Sequence, residues 1–218
     1  GLYTFDRYKK EKKNKKIESI TILSKISKRL RDELKWTKAI ISSVYFARDL
    51  INTPSNDMTP SDLAKAAVSL RQKNISVKIL ERKDSERLGM GAYLSVAKGS
   101  KEPLKFIVLE YKGSKGKPLA LIGKSITFDS GGISLKPSDG MEKMKYDMAG
   151  GAAVLGVLKA ASALKLPVNL IGILPATENL PGGSATKPGD IARSITGKTV
   201  EIINTDAEGR LILADAIG

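Results

Sequence analysis

The 218-residue chain contains no cysteine and no histidine. The absence of cysteine excludes disulfides and thiolate metal sites, and it fits a cytoplasmic protein. The absence of histidine excludes a Ser-His-Asp or Cys-His triad, the HExxH zinc site and any imidazole base. A metal bound by this chain must therefore rest on carboxylates, carbonyls, hydroxyls, water or an unprotonated lysine. Acid–base work falls to Asp, Glu, Lys, Tyr or a bound small molecule. No apolar run approaches the length of a membrane span, so no membrane partner is expected. The opening residues, Gly1 to Asp6, lack the pattern of a secretory signal.

Hydrophobic residues make up 41 % and charged residues 28 %, the balance of a globular chain. The length suits one large domain or two small ones. The formal net charge of +14 is less ordinary, and much of it is local. Arg7, Lys9, Lys10, Lys12, Lys13, Lys15 and Lys16 stand against Glu11 alone, seven charges minus one. Such a run is either a solvated linker or an arm for nucleic acid or another acidic partner. Only Tyr3, Phe5 and Tyr8 lie nearby, and no recognised nucleic-acid motif accompanies it.

Taken in order, residues 17–24 alternate apolar and polar types and read as a strand. A helical spacing then runs over about 26–51, long enough to bridge domains, until Asn52-Thr53-Pro54 stops it. Thr59-Pro60-Ser61-Asp62 signals a second helix with a capping box. Strands are expected over 75–80, 106–111, 119–122, 168–175 and 200–203. Residues 112–117 read as a hairpin or a loose loop, and 179–190 as a loop. Helices are expected over 149–164 and from 211, with a helical turn over 84–89. Alternation of strands and helices predicts an α/β fold: a mixed, mostly parallel β-sheet sandwiched between helices. The last helix breaks off almost as it begins, so a fragment truncated at its C-terminus is expected.

Two stretches carry the chemistry. Asn204-Thr205-Asp206-Ala207-Glu208-Gly209-Arg210 puts two carboxylates two positions apart. In an extended segment both would point the same way and repel unless a cation sat between them. Gly209 would allow a tight turn, and Arg210 could hold an anion. The alternative is a polar turn between strand and helix with Asp206 as a cap. The other stretch runs from Gly123 to Pro137 and offers Lys124, Asp129 and Lys136 around Gly131-Gly132. Asp147 follows just before a helix, where capping is again the simpler reading. Gly123-Lys124-Ser125 lacks the upstream glycine of a phosphate loop. Together, Asp129, Asp147, Asp206 and Glu208 with two lysines suit a two-cation hydrolytic site that must do without histidine.

These two stretches resemble the leucyl aminopeptidases of the cytosol aminopeptidase family, as does Asn52-Thr53-Pro54-Ser55-Asn56-Asp57-Met58-Thr59-Pro60. The resemblance implies a basic linker, strand and bridging helix over 1–51 and the N-terminal portion of a metallopeptidase catalytic domain over 52–218. It implies that Asp206 and Glu208 hold one metal, that Asp129 and Glu208 bridge to a second, and that Lys124 and Asp147 complete that second site. Zn²⁺, Mn²⁺ and Mg²⁺ all suit such ligands. It further implies Lys136 as the electrophile, a bicarbonate on Arg210 as proton shuttle, peptides with a free N-terminus as substrates, and a homo-hexamer. A fragment of this extent is expected to carry the ligands without necessarily being active.

Overall fold

The computed structural model describes residues 3–10, 17, 19–25 and 27–218. Helix α1 (Lys28–Asn52) starts where the Ser27 hydroxyl accepts the Leu30 N–H at 3.1 Å. It ends at Thr53, held extended before Pro54, whose ring disfavours the helical region for the residue preceding it. Helix α2 (Pro60–Ser69) carries the expected capping box between Thr59 and Asp62. The strand expected over 17–24 does not form. Residues 17 and 19–24 pair with nothing among the described residues, and Ile17, Ile20, Ile22 and Leu23 are exposed. Alternation alone makes no strand without a neighbouring edge to take its hydrogen bonds. Glu18 and Ile26 lie outside the described residues, as do positions 11–16 of the basic run.

Strands β1 (Ile75–Leu80), β2 (Lys105–Lys112), β3 (Leu119–Ile122), β4 (Ser125–Asp129) and β5 (Asn169–Asn179) form the main sheet. β2 runs antiparallel to both β1 and β5, whereas β3 and β4 run parallel to β5. Four strands thus point one way and β2 the other, in the mixed sheet expected. β2 and β3 are not a hairpin, because β5 lies between them. The connecting loop is instead pinned to the first residue of β5: Asn169 Oδ1 accepts from the Gly113 and Ser114 amides at 3.0 Å each.

β3 and β4 are two halves of one line along β5. Ile122 pairs with Ile173 and Ser125 with Ala176, so the break at Gly123 and Lys124 stands opposite Leu174 and Pro175. Proline has no N–H for a ladder. The freed Lys124 carbonyl turns instead to the Gly151 N–H at 2.9 Å, in the first turn of α5 (Ala149–Leu164). β4 escaped the sequence reading because Ser125 and Thr127 look like loop residues, yet both are buried. β5 continues past the expected end at Pro175 to Asn179, the first residue of the expected loop. The strand expected over 200–203 is β7 (Thr199–Glu201), and it pairs not with the main sheet but with β6 (Ile191–Arg193) in a separate ribbon.

The sheet buries both faces. Ile107, Leu109 and Tyr111 of β2 join Leu155 and Leu158 of α5, Leu63 of α2 and Leu50 of α1. Gly156 lets α1 approach closely: a Cβ there would lie 3.3 Å from that of Ala47. The alternate β2 residue Phe106 faces the second core, with Tyr93 of α4 (Gly91–Val96) and Leu211 and Ile212 of α6 (Glu208–Ile217). Between β1 and α4 lies the short helix α3 (Arg82–Arg87), which overlaps the helical turn expected over 84–89. Residues Met141–Leu164, a 3-10 helix running into α5, are apolar and long enough to cross a membrane by composition, contrary to the sequence reading. Met148, Ala152, Val154, Leu155, Leu158 and Ala161 of this segment pack in the first core, whereas Val157 is exposed.

Candidate active site

The sheet's broken line delivers the first two site residues. Lys124 sits in the break and Asp129 at the end of β4, where the register with β5 slips so that Asp129 stands beside Asn179. Such bulges re-aim side chains at the ends of strands. The loop then doubles back through Gly131 (φ +88°) and Gly132 (φ +70°), conformations that L side chains resist, and brings up Lys136. Cβ atoms at these glycines would also meet Asp206 Oδ1 at 3.1 Å and Asn179 Oδ1 at 2.8 Å. Asp147 follows the 3-10 helix Met141–Tyr146. It does not cap α5: the cap position is Met148, with no side-chain hydrogen bond.

Asp206 and Glu208 converge, but not as an extended pair. Asp206 lies on the 3-10 turn Thr205–Ala207 and Glu208 is the first residue of α6. Asn204, not Asp206, caps that turn, its Oδ1 accepting the Asp206 N–H at 2.8 Å. Gly209 makes no tight turn either. It is helical, and its bare Cα clears space for Lys124: a Cβ there would lie 2.8 Å from Lys124 Cε and 3.1 Å from Nζ.

One oxygen each from Asp129, Asp206 and Glu208 lies within 4.8 Å of the others. Asp129 and Glu208 are both 2 % exposed. Two lysines thread the carboxylates in pairs. Lys124 Nζ is 2.6 Å from both Asp147 Oδ2 and Glu208 Oε1. Lys136 Nζ is 3.0 Å from Asp129 Oδ2 and also contacts Asp206 Oδ1. Burial pushes the Asp147 carboxyl up to about 6, against the pull of Lys124 and with the help of the Asp129 and Glu208 charges. For Lys124, burial disfavours the ammonium, but the close Asp147 and Glu208 carboxylates outweigh it and hold its pKa above the usual lysine value. Lys136 is raised in the same way by Asp206 and Asp129 against burial. Four carboxylates against two ammonium groups leave the cluster short of positive charge. Glu208 Oε2 is buried without a hydrogen-bond partner, whereas Asp147 Oδ2 and Asp206 Oδ1 meet their lysines in distance but not in hydrogen-bond geometry. A buried carboxylate oxygen without a donor, on one of three carboxylates that converge, fits a site for divalent cations.

Arg210 stands apart, exposed on α6 and without an ion pair among the described residues. Asn179 and Thr205 were not singled out in the sequence. Thr205 Oγ1 donates to the Gly131 carbonyl at 2.6 Å and accepts the Ser134 N–H at 2.8 Å, tying the Asp206 turn to the Lys136 loop. A buried amide in a strand that reads as loop leaves no sequence signal.

A carboxylate-and-lysine centre at one end of an α/β sheet is the kind of site on which cation-assisted hydrolases are built. The catalytic-domain model of the cytosol aminopeptidase family matches residues 45–218, and the chain belongs to that family. It is 53 % identical over 226 residues to a probable cytosol aminopeptidase of Azoarcus sp. strain BH72, covering all of this chain and 45 % of that protein. Corresponding proteins of Geobacter sp. strain M21 and Alkaliphilus metalliredigens are 50 % and 48 % identical, again across all of this chain. The chain spans about half the length of these curated relatives.

Proposed function

We propose that this chain carries the catalytic centre of a metal-dependent aminopeptidase that removes leucine-like residues from the free N-terminus of peptides. The observation that carries the reading is the meeting of Asp129, Asp206 and Glu208 with a buried, unpartnered Glu208 oxygen. Asp206 and Glu208 would hold one divalent ion; Asp129, Glu208, Asp147 and Lys124 would hold a second. Divalent ions held there would polarise a carbonyl and lower the pKa of a bound water. Lys124 can join only as a neutral amine, and positive charge arriving beside it opposes the upward pull of Asp147 and Glu208.

Lys136 keeps its proton and can donate it as a hydrogen bond to the oxygen that gains charge as the peptide carbonyl is attacked. Arg210, with no ion pair among the described residues, would hold a bicarbonate that supplies the base this histidine-free chain lacks. A cytoplasmic, homo-hexameric full-length protein belongs to the same reading and rests on the family. The nucleic-acid alternative gains no support: Tyr3 stacks under Arg48 and donates to Asp49, so that aromatic is engaged with α1. The test is release of leucine from leucyl amide by the full-length protein, before and after chelation and after Mn²⁺ or Zn²⁺ is restored. Activity indifferent to chelator, with no bound metal by elemental analysis, sinks the proposal.

A further inference from the structure

We propose that Asn179 is the positioning residue that pre-sets this centre for its cation, an inference that rests on the metal-dependent reading above. Asn179 ends β5 at the slipped register opposite Asp129. Its side chain is buried and gives both amide hydrogens away. One goes to Asp129 Oδ1 at 2.8 Å and the other to the Thr205 carbonyl at 3.0 Å. Both partners are acceptors, so the NH₂ must face them and no flipped amide satisfies the site. The Asn179 backbone carbonyl takes the Ser130 N–H and hydroxyl at 3.0 and 2.9 Å. One residue thus anchors the chain on both sides of the centre.

The consequence for the carboxylates is specific. Asp129 Oδ1 also accepts the Gly131 N–H at 2.9 Å, so that oxygen already has two donors. Oδ2 is left facing Lys136 and the cluster. The peptide joining Thr205 to Asp206 is held at both ends, its carbonyl by Asn179 and its N–H by Asn204. Asn179 therefore orients Asp129 directly and Asp206 through the peptide that precedes it. A cation then meets ligands that need no reordering, which is how groups behind metal ligands raise affinity.

The test measures Mn²⁺ binding to the full-length protein by competition with a chromogenic chelator, alongside thermal melting in chelator. Asn179→Leu keeps the branched shape and removes both donors; Asn179→Ser keeps one shorter donor. Thr186→Val is the control, since it removes another buried hydrogen bond, to the Ser95 carbonyl, without touching the carboxylates. We expect binding weaker by about 10–100-fold for the leucine variant, less for serine, and unchanged for Thr186→Val. Affinity within twofold of wild type for both Asn179 variants overturns the role. So does an equal loss in Thr186→Val, which would mark a general loosening. Should the leucine variant not fold, the serine variant decides by the same comparison. A wild-type protein that binds no divalent ion overturns the parent reading, and this role with it.

Discussion

Two groups of basic–acidic pairs among the described residues obey different rules. Arg29–Glu33, Lys65–Asp62, Arg87–Asp84 and Lys187–Asp190 join neighbours three or four positions apart, with the basic partner well exposed. Lys124–Glu208 spans 84 positions and Lys136–Asp129 seven, and their carboxylates are only 2–3 % exposed. Water screens the first set, so each pair contributes about 0–1 kcal/mol. The second set has lost its water, and each carboxylate there needs its partners. A fold seeking stability alone would replace such a cluster with apolar groups. Its excess of negative charge makes sense as a cation site, and the contrast between the two sets marks where function lies.

Changes inside the cluster test that contrast most severely. Glu208→Gln removes the carboxylate that touches Lys124 and carries the orphaned oxygen. We expect Mn²⁺ affinity to fall by more than about 100-fold, beyond the range for residues behind the ligands. In chelator the same variant should melt no lower than wild type, because one repulsive charge is gone from an over-negative cluster. A lower melting point there would mean that Glu208 stabilises the fold as the surface pairs do, and the distinction would fail. Lys136→Ala comes next. Loss of an oxyanion donor costs about 10²–10³ in kcat, whereas Lys187→Ala should leave kcat unchanged. Equal, small effects would place Lys136 among the surface lysines.

The same division governs what could be read from the sequence. Local rules hold where neighbours along the chain decide the structure: the Thr59–Asp62 capping box, α1 and its stop at Pro54, and β1 all form as their residues dictate. They fail where a distant strand decides. Residues 17–24 have the alternation of a strand, but 17 and 19–24 find no partner among the described residues, while Ser125 and Thr127 lack the look of one and are buried beside β5. All four carboxylates were legible as a group, but the geometry joining Asp206 to Glu208 was not, because a 3-10 turn runs into α6 between them. Asn179 was invisible because its importance lies in two acceptors on other elements.

Glycine gives a gentler version of the comparison. Gly209→Ala places a methyl against Lys124, and over-packing of this kind costs about 1–3 kcal/mol. The strain falls on Lys124, proposed above as a metal ligand, so Mn²⁺ affinity should drop along with the melting temperature. Gly183→Ala, with nothing within 4 Å of the new Cβ, should change neither. If the two variants behave alike, the clearance around Lys124 is not what Gly209 provides.

The smallest effect is expected at Lys65, and its size is the point. Lys65 reaches Asp62 at 2.9 Å, but Asp62 also closes the capping box of α2 by accepting the Thr59 N–H at 3.3 Å. Burial works to raise the Asp62 pKa, but hydrogen bonds from Lys65 and Thr59 outweigh it and leave the value below the usual one. A carboxyl depressed in the folded state stabilises above its unfolded pKa, and that contribution disappears as pH falls through the folded value. Asp62→Ala should therefore cost about 1 kcal/mol at neutral pH, the worth of a cap, and progressively less in strong acid. Lys65→Ala should cost clearly less than Asp62→Ala, because the cap remains when the exposed ammonium goes. Urea titrations at neutral and acid pH separate the two. If Lys65→Ala cost as much as Asp62→Ala, the ion pair rather than the helix cap would stabilise α2, and exposed pairs in this protein would deserve the weight assigned only to the buried cluster.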